Sequence, residues 1–375
     1  MDYIINKRAL RPAPGGLFVS TATTYENKVD LAACMDRLEA AIDPEWENRK
    51  LETWKRFLDF EPFEGGFRFG EATGSGCEHL GWPGIPVNEA IRDPEKMLAR
   101  QLGMVYRATC RGSHEVPNIR CNYGTGILSS LFGAEVFWMP DELDVLPTTR
   151  AFGGGKCLNR LLEAGEPDIN AGWGARVFET AEYFTEQLAA YPKLNETVWI
   201  YHPDLQGPMD IAEMMLGGEL LLAFCDRADD VRAVMELVTT TYIRFLRRWF
   251  EIVPPRGDGK YMAHWNRFFK GRVMLRDDSL VNLSPEMYAE FVRPCDQRIL
   301  DEFGGGAIHF CGKCDHAIGL MSEQRGLTAV NPSQPHLNDV RKLYDATIAK
   351  GIVLDTPVKV ADMPGADFSR GLLAH

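Results

Sequence analysis

From about residue 115 onward, short apolar runs alternate with amphipathic segments, and this alternation constrains the fold more than any other feature of the sequence. It predicts βα units that feed a parallel sheet. A chain of 375 residues can hold one (β/α)8 barrel with insertions, and this α/β fold is the prediction. The predicted strands are 118–122, 197–202, 272–275, 307–310, 327–330 and 352–354, and the predicted helices between and after them are 175–190, 228–251, 285–302, 315–324 and 337–349.

Residues 1–114 have a different sequence pattern. Pro/Gly-rich loops alternate there with helical stretches at 29–42 and 45–60. We expect an irregular, mainly helical extension that packs on a barrel formed by 115–375, the two together making one domain. Side chains of this layer that could reach a pocket are Glu71, Cys77, His79 and Trp82.

Charge and apolar content exclude several classes of function. The formal net charge is -12, from 41 Lys+Arg against 53 Asp+Glu, so the overall field repels a nucleic-acid backbone. No apolar run is long enough for a signal peptide or a membrane span, so we expect a cytoplasmic protein without a membrane role. The nine cysteines are scattered, so reduced thiols are expected rather than a disulfide framework.

Polar residues follow most of the predicted strands. Because parallel barrel strands all point their carboxyl ends at one face, these side chains should converge on one pocket. They are Asn122 and Tyr123, His202 and Asp204, Asp277 and Asp278, His309 and Cys311, Asn331 and Gln334, and Asp355.

His309 and Cys311 carry most weight, because strand alternation sends both to one side of the strand and Phe310 to the other. Imidazole nitrogen and thiolate sulfur are zinc ligands, and a catalytic zinc site uses three protein ligands with one open position. Cys314, about one helical turn further on, is a candidate third ligand. The alternative left open by spacing alone is a buried histidine and two core thiols without a metal.

Asp277 and Asp278 are adjacent, so their side chains point in different directions and at most one is expected to enter the pocket. That residue would be a general acid or base, a hydrogen-bond acceptor or a metal ligand. The alternative is a loop acid and a helix cap. His202 and Asp204 similarly either serve the site or fix the turn around Pro203.

The second half of the chain resembles the uroporphyrinogen decarboxylase-like superfamily, and residues 115–360 are covered by the resemblance. The motifs that carry it are Leu275-Arg276-Asp277-Asp278, Leu283-Ser284-Pro285-Glu286-Met287-Tyr288 with Phe291-Val292-Arg293-Pro294, His309-Phe310-Cys311-Gly312, and Val330-Asn331-Pro332-Ser333-Gln334-Pro335.

The resemblance implies a (β/α)8 barrel and one of two chemistries: cofactor-independent decarboxylation of porphyrinogens, or zinc-dependent methyl exchange with a corrinoid protein. The decarboxylase branch carries an Arg-Gln-Ala-Gly-Arg type segment near its N-terminus, which this chain lacks, whereas His309-x-Cys311-Gly312 matches the methyltransferase branch. Coenzyme M methyltransferases have a further Cys after the last strand. Here that region reads Val353-Leu354-Asp355-Thr356-Pro357, so Asp355, Asp277 or Cys314 could be the third ligand, or the site is metal-free.

The leading hypothesis is therefore a methyltransferase in which zinc acts as a Lewis acid on a small-molecule donor such as a methyl ether. The acceptor would be a corrinoid (cobalamin-type) cofactor on a separate protein, since nothing in this chain resembles a cobalamin-binding domain. Asp277, Asp278 and His202 are the candidate proton donors or catalytic groups, and Asn122, Tyr123, Asn331 and Gln334 the candidate substrate-binding residues.

Two alternatives stay open at this point. One is a cofactor-independent decarboxylase or other lyase that acts on a small acid, and the other is an inactive barrel that binds a ligand. Exposed helix faces of such a barrel are a common dimer surface, so a homodimer is also compatible with the sequence.

Overall fold

The structure is a computed structural model that describes residues 29–70, 81–153, 156–358 and 363–374. Its strands are β1 (Phe67–Arg68), β2 (Asn118–Ile119), β3 (Val136–Phe137), β4 (Thr148–Thr149), β5 (Trp199–Ile200), β6 (Tyr261–His264), β7 (Arg267–Lys270), β8 (Val273–Arg276), β9 (Gly306–Phe310), β10 (Leu327–Pro332), β11 (Val353–Val358) and β12 (Leu372–Ala374).

The helices are α1 (Leu31–Ala41), α2 (Pro44–Leu58), α3 (Val87–Arg92), α4 (Pro94–Arg111), α5 (Ile127–Leu131), α6 (Cys157–Ala164), α7 (Gly174–Ala189), α8 (Pro192–Thr197), α9 (Pro208–Leu216), α10 (Gly218–Asp226), α11 (Ala228–Ile252), α12 (Pro285–Met287), α13 (Arg293–Phe303), α14 (Ile318–Met321) and α15 (Val340–Thr347). A π-helical turn at Tyr288–Val292 joins α12 to α13. No helix in the described ranges has the length and apolar character needed to cross a bilayer.

A six-stranded parallel sheet with the order β1-β12-β11-β10-β9-β8 organises the molecule. β2 and β5 form a separate parallel pair, while β3–β4 and β6–β7 are antiparallel hairpins. The chain is thus an α/β protein built on a parallel sheet, in agreement with the predicted class.

The sheet is buried on both faces, as parallel sheets usually are. On one face, Leu275, Ile308, Val330 and Leu354 belong to a large core shared with the helices. On the other face, the strands contribute a second, smaller cluster that packs against Trp54 of α2 and the β6–β7 hairpin. Its sheet residues are Phe67, Met274, Ala307, Ala329, Val353 and Leu373.

The six predicted strands all occur, with shifted ends. β10 and β11 run two and four residues further than predicted, whereas β2 and β5 are only two residues long. The predicted helix at 315–324 is reduced to α14. β1, β12 and both hairpins were not predicted from the sequence, because each is too short or too irregular to show a period.

The N-terminal segment contributes directly to the sheet, since β1 pairs in parallel with β12 at Phe67↔Leu373. Helices α1 and α2 match the two predicted helical stretches of this segment. The boundary predicted at 114 stays a prediction. Seven of the eight described cysteines are free, as expected, whereas Cys110 is disulfide-bonded, which the sequence did not predict.

Candidate metal centre

The candidate site lies at the carboxyl ends of β8 to β11, on the face that carries the smaller core cluster. Side chains two residues apart on a strand share a face, so the apolar residues of that cluster are followed on the same face by polar ones. The strand register places Arg276 beside His309 and His309 beside Asn331. The polar continuation of this face is Arg276, His309, Asn331 and Asp355, all buried.

Three ligand-type side chains meet at the mouth of this face. His309 Nε2 lies 3.5 Å from Cys311 Sγ and 3.5 Å from Asp278 Oδ1. The ligand atoms of Asp278, His309 and Cys311 all lie within 4.8 Å of one another. The group includes the two residues singled out from the sequence and one of the two adjacent aspartates.

Two of the three separations among these atoms fit a tetrahedral metal, and the third, between Asp278 and Cys311, lies within 4.8 Å. Zinc bonds of 2.0–2.3 Å in a tetrahedron put neighbouring ligand atoms roughly 3.3–3.7 Å apart. Both 3.5 Å separations at His309 Nε2 fall in that range. Nitrogen, sulfur and carboxylate oxygen are the donors that zinc accepts, and three of them leave one position open.

A chain of hydrogen bonds decides which nitrogen of His309 is free. Asn331 donates both bonds of its amide nitrogen to Asp355, to the backbone oxygen and to Oδ2, each at 2.9 Å. Asn331 therefore presents its carbonyl oxygen to His309 Nδ1, 2.6 Å away, so Nδ1 must carry the proton. The lone pair of His309 is on Nε2, facing Asp278 and Cys311.

Arg267 anchors the far end of this chain. Its Nε lies 2.9 Å from Asp355 Oδ2, and Asp355 is almost fully buried. A carboxylate held by a guanidinium and an amide orients the histidine beyond it, which is the usual outer support of a metal-bound imidazole. Burial lowers the pKa of His309, so the imidazole is neutral at pH 7, as a ligand must be.

Cys311 and Asp278 are held by their own contacts. The backbone N–H of Cys311 donates to Asp278 Oδ1 at 2.8 Å, and the Ser333 hydroxyl donates to Cys311 Sγ at 3.1 Å. Burial, with the nearby Asp278 carboxylate, raises the pKa of Cys311 to about 11. The thiol is thus protonated at neutral pH in the absence of a cation, and a bound cation would favour the thiolate.

Asp210 of α9 positions the loop that carries Asp278. Its two carboxylate oxygens accept the N–H groups of Asp278 and Ser279 at 3.0 and 2.7 Å. Gly207, just before α9, packs so tightly that a Cβ would lie 2.2 Å from the Arg276 carbonyl oxygen. A glycine is needed there to bring α9 onto the end of β8.

The other predicted metal ligands are not part of the three-residue group. Cys314 is fully buried, and its Sγ donates to the Cys311 carbonyl oxygen at 3.3 Å. Asp355 is occupied by Arg267 and Asn331. Asp355 therefore supports His309 from behind.

Asp277 and His202, predicted as catalytic, are not part of the three-residue group. Asp277 is buried against Asp296 of α13, and burial raises the pKa of Asp277 well above its usual range and that of Asp296 to about 8. His202 Nε2 accepts the N–H of Met274 at 3.0 Å, and its Nδ1 lies 2.8 Å from the Pro203 carbonyl oxygen. Both ring nitrogens of His202 are therefore engaged by backbone.

Of the four predicted substrate-binding residues, two contact residues of the three-residue group or their neighbours, and two do not. Asn331 supports His309, and Gln334 Oε1 accepts the N–H of Gly312, next to Cys311, at 2.7 Å. Asn122 has a buried carbonyl oxygen without a partner among the described residues. Tyr123 is buried in the helical core, with its hydroxyl 2.7 Å from Thr180 Oγ1.

In the N-terminal layer, Trp82 stacks on Tyr106 and donates to the Ala99 carbonyl oxygen. Glu71, Cys77 and His79 lie outside the described residues.

Sequence reasoning missed Arg276, Trp265 and Asp210. Arg276 had a usable signal, because it alternates with Asp277 and must share a side with Asp278. Trp265 had none: it forms the turn of the β6–β7 hairpin with Asn266, and both have positive φ, 47° and 61°. The Trp265 ring packs edge-on against His309, with centroids 4.9 Å apart.

No protein-family model matches this sequence, and no curated protein matches it. Among solved structures, a methyltransferase from Methanosarcina mazei is similar, with a TM-score of 0.60 and 16% sequence identity. The similarity covers 85% of this chain and 90% of that chain. At this identity it shows a shared fold, which by itself does not assign a function.

Proposed function

We propose that this protein is a zinc-dependent methyltransferase that moves a methyl group between a small-molecule donor, of the methyl-ether class, and a corrinoid carried by a separate protein. The observation that carries the proposal is the group formed by Asp278, His309 and Cys311, with the free lone pair of His309 directed into it. The similar solved structure is that of a methyltransferase, which supports the same reaction class.

The proposal includes a closed (β/α)8 barrel. Six parallel strands and the parallel β2–β5 pair supply the eight strands that such a barrel needs. The hydrogen bond from Met274 N–H to His202 and that from Gly207 N–H to the Arg276 carbonyl link the end of β5 to β8. These bonds support closure of the two sheets into one cylinder, with the site at its carboxyl end.

When bound, zinc would supply a Lewis acid for the donor's oxygen or would stabilise a thiolate or hydroxide in the open position. The chain itself orients the ligands. Asn331 fixes the tautomer of His309, and Ser333 donates a hydrogen bond to the Cys311 sulfur, which favours a thiolate. Asp278 is one-third exposed, so it is the acid of the group that can meet a substrate or solvent.

Metal analysis tests the first half of the proposal. Protein purified without chelators should bind about one zinc ion per chain. Cys311→Ser and His309→Ala should lose it, while Cys225→Ser, a change at an exposed thiol, should keep it. Absence of stoichiometric zinc after zinc is supplied would refute the metal site.

Turnover tests the second half. With free reduced cobalamin as the acceptor and a panel of methyl ethers as donors, zinc-loaded protein should form methylcobalamin, and Cys311→Ser should not. Release of CO2 from a small acid, without methyl transfer, would replace the proposal with the decarboxylase alternative.

A further inference from the structure

A cavity of about 300 Å³ lies where β5 faces the start of β8, and no residue of the candidate metal group lines it. β5 pairs with β2 and β8 pairs with β9, but in the described chain no strand ladder joins β5 to β8. Side chains must therefore fill the space between the two sheets. They fill it incompletely, and the cavity is the space that is left.

The cavity has a buried floor and an open rim. Tyr201, His202 and Trp249 at the floor are 8%, 3% and 0% exposed, whereas Thr185 and Pro254 at the rim are exposed. A small molecule could thus enter from solvent and become largely enclosed. The volume lies at the lower end of the range of small-molecule sites, which is about 300–1,000 Å³.

Five aromatic side chains from three separate elements form much of the wall. They are Trp199 and Tyr201 of β5 and its end, Trp249 and Phe250 of α11, and Tyr261 of β6. Aromatic faces and edges pack favourably against another ring. The wall therefore favours a ligand with a planar aromatic body.

Arg272, just before β8, brings an unpaired cation to this wall. In the described part of the chain its guanidinium makes one hydrogen bond, from Nε to the Gly259 carbonyl oxygen at 2.8 Å. A Cβ at Gly259 would lie 2.9 Å from Arg272 Nη2, so the glycine makes room for the guanidinium. Asp258, the acid of the same loop, is paired with Lys260 at 2.8 Å. Both Nη atoms of Arg272 are thus left to bind an acceptor.

A second arginine adds positive charge without offering a free donor. The Nη atoms of Arg256 donate to three carbonyl oxygens at and just after the end of α8, at 2.6–2.8 Å. Its Cζ lies 5.2 Å from the centroid of the Trp199 ring. Glu196, the acid nearest in sequence to those carbonyls, is exposed and accepts a hydrogen bond from Asn48. Two arginines and no acid line the cavity, although the whole chain has a net charge of -12.

Packed rings separate the cavity from the metal centre. The ring of His202, at the cavity floor, lies 4.8 Å from that of His264, which lies 4.8 Å from that of Trp265. Trp265 in turn packs against His309 at 4.9 Å. Two side chains, His264 and Trp265, thus fill the space between the floor and His309. A molecule in the cavity would not contact the candidate ligands.

We propose that this cavity is a second ligand site, for a planar aromatic monoanion. Its ring lies between the aromatic walls, and its carboxylate, or a similar oxyanion, pairs with Arg272. The ligand is held without reaction, since the cavity contains neither a candidate metal ligand nor a thiol. The site does not depend on the proposed methyl-transfer function, because the two share no contacting residue.

The probe is 2-naphthoate, with the neutral 2-naphthamide as its matched control, and binding is measured by isothermal titration calorimetry. We expect one molecule per chain, with the acid bound at least about tenfold more tightly than the amide, because a charge-assisted bond replaces a neutral one. Arg272→Gln should remove this preference by weakening the acid alone. Arg341→Gln, at an exposed arginine paired with Asp345, should change nothing.

Further variants keep the test decisive if Arg272→Gln does not fold. Arg272→Lys keeps the charge and should retain part of the preference. Val253→Trp puts a larger side chain into the cavity wall and should weaken acid and amide alike.

His309→Ala and Cys311→Ser locate the bound molecule. Both should bind naphthoate as wild type does, whereas loss of binding in either would place the anion at the metal centre and overturn the second site. The site is also refuted if neither compound binds, if acid and amide bind wild type equally, or if Arg272→Gln folds and leaves their ratio unchanged. Because zinc and methyl transfer are not measured here, failure of this site would leave the proposed function standing.

Discussion

At the scale of single residues, the geometry of the site depends on which proton each side chain carries. Asn331 has its amide nitrogen committed to Asp355, so its oxygen can only accept from His309. A carboxylate, an amide and an imidazole in sequence thus set one tautomer. The lone pair that a metal needs is available before any metal arrives.

Asn331→Leu removes the acceptor for His309 Nδ1 and should weaken zinc binding by about 10–100-fold, the usual cost of losing an outer-sphere partner. Affinity is measured by competition with a chromophoric chelator. Asn195→Leu, at an exposed position, is the control and should bind zinc as wild type does. Equal affinities of wild type and Asn331→Leu would show that the chain of hydrogen bonds does not orient His309.

His202 predicts a pH dependence of stability. Burial lowers the pKa of His202 from 6.5 to about 4. Between pH 6.5 and pH 4, His202 is therefore protonated in the unfolded chain but neutral in the folded chain. The stability linked to His202 is complete above pH 6.5 and is lost as the pH falls towards 4. By linkage this amounts to about 3 kcal/mol of the free energy of unfolding.

Denaturant unfolding of wild type and His202→Gln from pH 7.5 to 4.5 measures this effect. The difference in free energy of unfolding between the two should shrink as the pH falls, because only wild type loses the linked stability. His336→Gln, at an exposed histidine, should keep a constant difference from wild type. A constant difference for His202→Gln would mean that His202 titrates alike in both states.

At the scale of elements, the β6–β7 hairpin stores strain beside the site. Its two-residue turn has positive φ at both Trp265 and Asn266, which matches a type I′ turn. Asparagine tolerates that conformation, but a bulky residue such as tryptophan rarely adopts it. The cost is offset by the contacts of the indole with His309, His264 and Arg276.

The strain can be measured by comparing Trp265→Ala with Trp265→Gly. Both remove the indole, but only glycine relaxes the left-handed backbone, so the glycine variant should be the more stable by about 1 kcal/mol. At Trp199 in β5, where φ is not positive, alanine should be the more stable. Thermal or denaturant unfolding gives both differences, and the same order at both positions would contradict a strained turn.

At the scale of the whole molecule, a strand of the N-terminal segment and the last described strand form one edge of the sheet. β12 lies between β1 and β11 and is paired on both sides. Leu372 and Leu373 of β12 are buried on opposite faces, one in each core cluster. The last strand therefore joins the N-terminal segment to the rest of the sheet.

Truncation after Ser369 removes β12 and exposes two strand edges. The loss of two buried leucines alone should cost about 3–6 kcal/mol, so the truncated chain should melt far lower or fail to stay folded. Deletion of His375 alone is the control and should leave the melting temperature unchanged. A truncated protein with the wild-type melting temperature would show that β12 is dispensable.

Much of the candidate site could be predicted from strand alternation and order along the chain. His309 and Cys311 share a side because they are two residues apart, and the Asp277-Asp278 pair could supply only one side chain to that side. The parallel sheet was equally readable, because β8, β9 and β10 are long enough to show apolar runs. The short strands β1, β2, β5 and β12 are recognised by their hydrogen bonds to neighbouring strands. Their own two or three residues are too few to show a strand pattern.

The sequence by itself determined the α/β class and the strand ends that carry the site, because alternation is a local property of the backbone. Only the tertiary structure decided that Asp278 joins His309 and Cys311, that Asp355 supports His309, and that Trp265 and two arginines lie beside them. These choices depend on strand register and on contacts between residues dozens to more than a hundred positions apart. Such long-range contacts produce no periodic pattern in the sequence, because the partners come together only when the sheet forms.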